Sequence, residues 1–191
     1  MKYKILTQPA VEPITLTEAK ANLRVNNTVE NDLITSYIVA ARKWVENYTW
    51  RPLITQTWTL FYDFSDVQSI KNSTITISKN PVQSISSVKY YDINNTLQTL
   101  DSSNYYTDLG GDIASINFIN QLPTIYNRIN ALQIEFVCGY GLAVSVPDNI
   151  KAAIYMMITA FYDNRTGLDF VKTQEAVQNI VSFDNNRHFR V

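Results

Sequence analysis

Cysteine and histidine each occur once in this chain of 191 residues, and glycine and proline are sparse at five and six. One thiol, Cys138, excludes an internal disulfide framework and any zinc site built on several thiolates. Flanked by Phe136, Val137 and Tyr140, it reads as a buried, inert side chain. The lone His188 sits in the terminal stretch, away from residues that would make it part of a triad or an imidazole metal site. Net charge is also missing: 16 Lys and Arg against 17 Asp and Glu leave −1, which argues against a strongly basic nucleic-acid-binding surface. No apolar run approaches the roughly 20 residues of a membrane span, so no membrane partner is expected. Met1-Lys2-Tyr3-Lys4 leads into no signal-peptide core. Triplets such as Asn47-Tyr48-Thr49 and Asn164-Arg165-Thr166 then reflect an asparagine-rich composition, not glycosylation. A chain made and folded in a reducing cytoplasm is expected.

What is present is the material of a core. Hydrophobic residues make up 46% and aromatic residues 12%, the composition of a folded globular chain. The stretch from Val29 to Trp58 organises the rest. Leu33, Ile34, Tyr37, Ile38, Ala41, Trp44, Val45 and Tyr48 recur at three- and four-residue steps, which lines one face of a helix. Trp50-Arg51-Pro52 ends it, since Pro52 has no N–H and pushes Arg51 out of helical dihedrals. From Ile54 the period becomes two, as in a strand. Upstream, residues 1–14 show no clear period and are expected as an extended lead-in. Thr15-Leu16-Thr17-Glu18 fits a capping box for a short helix to about Arg24, which should form a helical hairpin with the long one.

Strands are expected over 54–64, 74–78, 85–92, 105–107, 115–118 and 131–138, in one antiparallel sheet, meandering or rolled up. Turn signals separate them, among them Asn80-Pro81, Asp92-Ile93-Asn94-Asn95 and Leu109-Gly110-Gly111-Asp112. The glycines of Gly139-Tyr140-Gly141 let the chain leave the sheet with unusual dihedrals. Helical spacing returns in Asp148–Asn164 through Ile150, Ala153, Ile154, Met157, Ile158, Phe161 and Tyr162, and a further short helix is expected over 174–183. The fold class is α+β: a helical body formed by N- and C-terminal helices with an inserted antiparallel β subdomain. Its expected segments are 1–53 (helical), 54–145 (β) and 146–191 (helical, with a flexible tail).

Catalytic chemistry is hard to assemble from these residues, and no enzyme is expected: catalytic, cofactor-binding and metal-binding residues are each read as none. Asp108–Asp112 lacks the ligand series of a calcium loop and reads as a tight turn. Asp63 and Asp66 could pair as acid and base, but a solvated strand end is the plainer reading. Arg24, Arg42, Lys43 and Arg51 could form a basic stripe, although such residues are usually a solvated face. Arg187, His188, Phe189 and Arg190 are the candidate partner-docking residues, because a short basic-aromatic tail suits a peptide that orders on contact. The aromatic-rich sheet also leaves open a small-ligand or carbohydrate-binding β module with helical flanks.

Five stretches carry a resemblance to a known family. They are Pro13–Val25 (PITLTEAKANLRV), Tyr48–Trp58 (YTWRPLITQTW), Asn80–Tyr90 (NPVQSISSVKY), Phe136–Gly141 with Val146-Pro147 and Ile150–Ala153, and Phe161–Arg165 (FYDNR). In that order they resemble the head–tail connector (adaptor) proteins of long-tailed bacteriophages, over most of residues 13–166. The stretch after Gly167 matches poorly. The resemblance implies a non-enzymatic structural protein of the virion, located at the capsid vertex and needing no cofactor. It implies assembly with itself as a ring, expected to be twelvefold, beneath the portal protein. The ring would extend the DNA channel, let the genome pass without sequence-specific binding, and offer a platform for a stopper or tail-completion protein. The helices would form the ring body, and the sheet would decorate it.

Overall fold

A helix of 19 residues, α2 (Asn31–Thr49), stands at the centre of one half of the molecule. We describe it from a computed structural model covering residues 1–70, 73–111, 113–119, 122–164 and 170–182. The spacing seen in the sequence puts Ile34, Ile38, Ala41 and Val45 of α2 on one buried stripe. They pack with Ile150, Ala153, Ile154, Met157 and Ile158 of α4 (Asp148–Asp163), all fully buried in the same apolar cluster. Burying each large side chain of this set contributes about 1.5–3 kcal/mol. Tyr37 stacks on Phe161 at 5.8 Å, and the Tyr162 hydroxyl donates to Glu30 at 2.6 Å, which ties the C-terminal end of α4 to the start of α2.

The expected capping box is there. In α1 (Leu16–Leu23), Thr15 Oγ1 accepts from the Glu18 amide, and Glu18 reaches back to the Thr15 N–H at 2.8 Å. Arg24 then closes α1 in the left-handed region at φ 56°, and Trp50 closes α2 likewise at φ 62°. A last helix, α5 (Phe170–Ile180), begins and ends some residues before the span expected for it and sends Val177 into the helical core.

The β elements are β1 (Lys2–Thr7), β2 (Gln56–Tyr62), β3 (Thr74–Ile77), β4 (Val82–Tyr91), β5 (Leu97–Thr99), β6 (Tyr105–Asp108), β7 (Ala114–Phe118) and β8 (Leu132–Cys138), with a short helix α3 (Phe64–Gln68) after β2. They make two antiparallel sheets, not one: a five-stranded sheet β1-β2-β8-β4-β5 and a three-stranded sheet β3-β7-β6. The order is not a meander, because β8 inserts between β2 and β4. Alternation in β8 buries Leu132, Ile134, Phe136 and Cys138 and leaves Gln133, Glu135 and Val137 half-buried. Those residues join Leu60, Ile75, Ile77, Val88 and Ile116 in a second core.

Contacts divide the chain into two units, Met1–Gln8 with Thr55–Gly139, and Pro9–Ile54 with Tyr140–Val191. This corrects one expectation: residues 1–8 belong with the sheet, not with the helical body, because β1 pairs with β2 from Lys2↔Phe61 to Thr7↔Thr57. Tyr3 fastens it further, meeting Phe136 edge to face at 6.3 Å and accepting from the Ser78 amide. As expected, Gly139 and Gly141 leave β8 at φ 117° and 110°, a region open to glycine.

Candidate interaction surfaces

The candidate tail residues Arg187, His188, Phe189 and Arg190 lie outside the described residues. The possible basic stripe is not a surface. Arg42 is only 4% exposed; its Nε donates to Glu12 at 2.7 Å and its Nη1 to Glu46 at 2.7 Å, one turn along α2. Burial alone would lower the Arg42 pKa, but the two carboxylates outweigh it and hold the guanidinium above its ordinary value. Glu46 also accepts from the Leu53 amide, so the network pins the chain where it leaves α2. Arg51 is buried as well, while Arg24 and Lys43 remain exposed.

Asp63 and Asp66 form no acid–base pair; they clasp the start of the chain. The Met1 α-amino group donates to Asp66 at 2.8 Å, and Lys2 Nζ donates to Asp63 at 3.0 Å. The Asn130 amide donates to Asp63, and the Asp63 amide to Asp66 across the start of α3. Asp63 is held below the usual carboxylate range by the Asn130 amide first and the Lys2 hydrogen bond second. Asp66 is lowered chiefly by the terminal amine.

Open grooves occur among the described residues. One of about 430 Å³ in the sheet unit is lined by Phe64, Val67, Ile70, Leu122 and Ile125 with a few polar groups. Another of about 310 Å³ in the helical unit lies over Asn22, Tyr155, Thr159 and Asp163, where Asn22 Nδ2 donates to Thr159 Oγ1 at 3.0 Å. Neither brings together a nucleophile and a base. The described residues contain no group of three or more His, Cys, Asp or Glu side chains able to hold a metal ion.

Exposed apolar side chains are instead the feature that stands out, and they gather at turns and edges. In the sheet unit Ile93, Tyr126 and Ile129 flank the β4–β5 turn. That turn is built tightly: Asp92 Oδ1 accepts from the Asn94 and Thr96 amides, and Arg128 lies 3.7 Å from the Tyr91 ring while donating to Asn95. In the helical unit Leu142 and Val144 stand out beside a short 3₁₀ turn. Sequence reasoning marked Asp92-Ile93-Asn94-Asn95 only as a turn. The available signal was an isoleucine in a position where solvent exposure costs it its burial energy.

Among the described residues, then, apolar side chains are exposed at several separate places. The chain matches the family model for phage gp6-like head–tail connector proteins over residues 13–129, and it belongs to that family. Three of the five similar stretches, 13–25, 48–58 and 80–90, lie within that span. Its fold is shared with chains of gene transfer agent (GTA) particles. One, from the virion of a native particle, has a TM-score of 0.73 at 18% identity, with 86% of each chain covered. Another, from the neck of an empty particle computed with C6 symmetry, has 0.74 at 16%, covering 97% of this chain and 95% of that one. A third, from the neck of a native particle computed with C12 symmetry, has 0.71 at 16% with the same coverage. No curated protein matches.

Proposed function

We propose that this chain is a non-catalytic connector subunit of a bacteriophage virion. Copies of it form a ring, twelvefold in the particle, under the portal protein; the ring extends the DNA channel and offers a platform to a stopper or tail-completion protein. The carrying observation is family membership over 13–129. The likeness in fold to neck chains computed with C6 and C12 symmetry supports a cyclic assembly. A net charge of −1 suits a conduit, because a strongly basic bore would hold DNA by counterion release and slow its passage. In this reading residues 187–190 dock on a neighbouring protein.

Co-sedimentation with the purified portal tests both parts. The full chain should pellet with portal, and a chain ending at Ser182 should bind it more weakly. Loss of pelleting by the full chain at micromolar concentration would remove the connector reading; equal pelleting of both chains would remove the role given to the tail.

A further inference from the structure

The chain passes between its two units three times, at residues 8–9, 54–55 and 139–140. In the sheet unit the passages start side by side. β1 ends beside the start of β2 at Thr7↔Thr57, and β2 starts beside the end of β8 at Gln56↔Cys138. Because β1, β2 and β8 are neighbours, the passages leave one end of the sheet in a row two strand spacings wide, about 10 Å. The helical unit gathers the same three segments. Arg42 binds Glu12, just beyond the first passage, and its other partner Glu46 accepts from the Leu53 amide, just before the second. The Leu53 carbonyl in turn accepts from the Tyr140 amide, just after the third. Each unit keeps an apolar core of its own.

Two bodies joined by short links in a single row keep one soft motion. Rotation about the row changes a few backbone dihedrals, whereas twisting across it or sliding along it would stretch or compress the links, and a peptide has little length to give. The residues placed to turn are Thr55 and Gly139, with Gln8 and Pro9 on the third link. Gly139 sits at φ 117°, where a side chain would be strained, and Thr55 is exposed. One side chain reaches both of them. Gln83 Nε2 donates to Thr55 Oγ1 at 3.0 Å and to the Gly139 carbonyl at 2.8 Å. Gln83 is the extra residue of β4 where its register against β8 slips, between Val82↔Cys138 and Ser84↔Val137, and a bulge of this kind re-aims the side chain it carries.

We infer that the row at Gln8-Pro9, Thr55 and Gly139 is a hinge between the two units, and that Gln83 is the latch that limits it by tying two of the pivots to β4. The inference concerns the single chain and stands apart from the connector reading.

Distances between spin labels, read by pulsed electron paramagnetic resonance, test it on the full chain. Ser103→Cys in the sheet unit and Lys43→Cys in the helical unit give the pair that spans the hinge. Gln68→Cys with Ser103→Cys, and Lys43→Cys with Asn179→Cys, give a control pair inside each unit. All of these positions are exposed, and Cys138 is buried. Circular dichroism confirms that each variant folds. The spanning pair should show a wider distance distribution than either control, and Gln83→Ala should widen it further while leaving both controls unchanged. A spanning distribution as narrow as the controls, with and without Gln83→Ala, would overturn the hinge. A wide distribution that Gln83→Ala leaves unchanged would overturn the latch. Equal widening of the controls would place the loosening inside the units and overturn both.

Discussion

The helical unit and the sheet unit keep their ion pairs in different places. In the helical unit the charges that matter are inside: Arg42 sits between Glu12 and Glu46 beneath the surface and fixes how the chain leaves α2. In the sheet unit Asp63 and Asp66 pair with Lys2 and the terminal amine at the rim, Asp92 and Asp101 tie turns, and the buried Lys79 ammonium lies over the Trp58 and Tyr3 rings. One unit carries its ion pairs inside, the other at its edge.

Breaking the buried ion pairs should give the largest effect. Arg42→Met leaves two carboxylates beside an apolar side chain and is expected to cost about 3–5 kcal/mol in urea unfolding. Adding Glu12→Leu and Glu46→Gln should recover much of that loss. A cost below about 1 kcal/mol for the single change would show that the ion pairs are dispensable, on the scale of surface pairs. In the sheet unit the matching change is Tyr3→Ala, which loses the edge contact with Phe136, the hydrogen bond from Ser78 and the ring beneath Lys79. About 1.5–3 kcal/mol is expected, with Tyr3→Phe accounting for about 1 kcal/mol of it.

A smaller change should go the other way. Arg24 is exposed and holds φ 56° at the end of α1, so Arg24→Gly is expected to stabilise the helical unit by about 0.5–1 kcal/mol in thermal unfolding. Destabilisation would mean that the side chain makes contacts that outweigh its backbone strain. The smallest contribution per group comes from acid. Asp63, Asp66, Asp92 and Asp101 all have folded pKa values below the ordinary carboxylate value, so their stabilisation is present above about pH 4 and fades as pH falls further. In the helical unit Glu18 is lowered in the same way, through its hydrogen bonds with Thr15. Thermal unfolding should therefore move to lower temperature as pH falls below about 4, and a midpoint that stays constant through that range would contradict the role given to these carboxylates.

The difference between the units also explains what could be seen in the sequence. Long amphipathic helices repeat their signal, so α2 and α4 emerge from the spacing of Ile34 to Val45 and of Ile150 to Ile158. The capping box at Thr15 and Glu18 is a local pattern and was equally visible. Edge elements send little signal. β1 turns only Tyr3 and Ile5 partly inward, too few residues to establish a period, and β5 exposes all three of its residues. α3 is a single turn whose opening, Asp63-Phe64-Ser65-Asp66, uses aspartate in both capping positions and resembles a solvated strand end. The insertion of β8 between β2 and β4 is a long-range choice that no local pattern records. For the interaction surfaces the sequence offered only residue types: that Arg42 would be consumed by an internal network depends on Glu12, thirty positions upstream.

Cryo-electron microscopy of portal incubated with this chain addresses the connector reading most directly. It should show a cyclic ring of copies stacked coaxially on one end of the portal, with an open channel through both. Bare portals amid unassembled chain, at concentrations where the chain is folded, would contradict it.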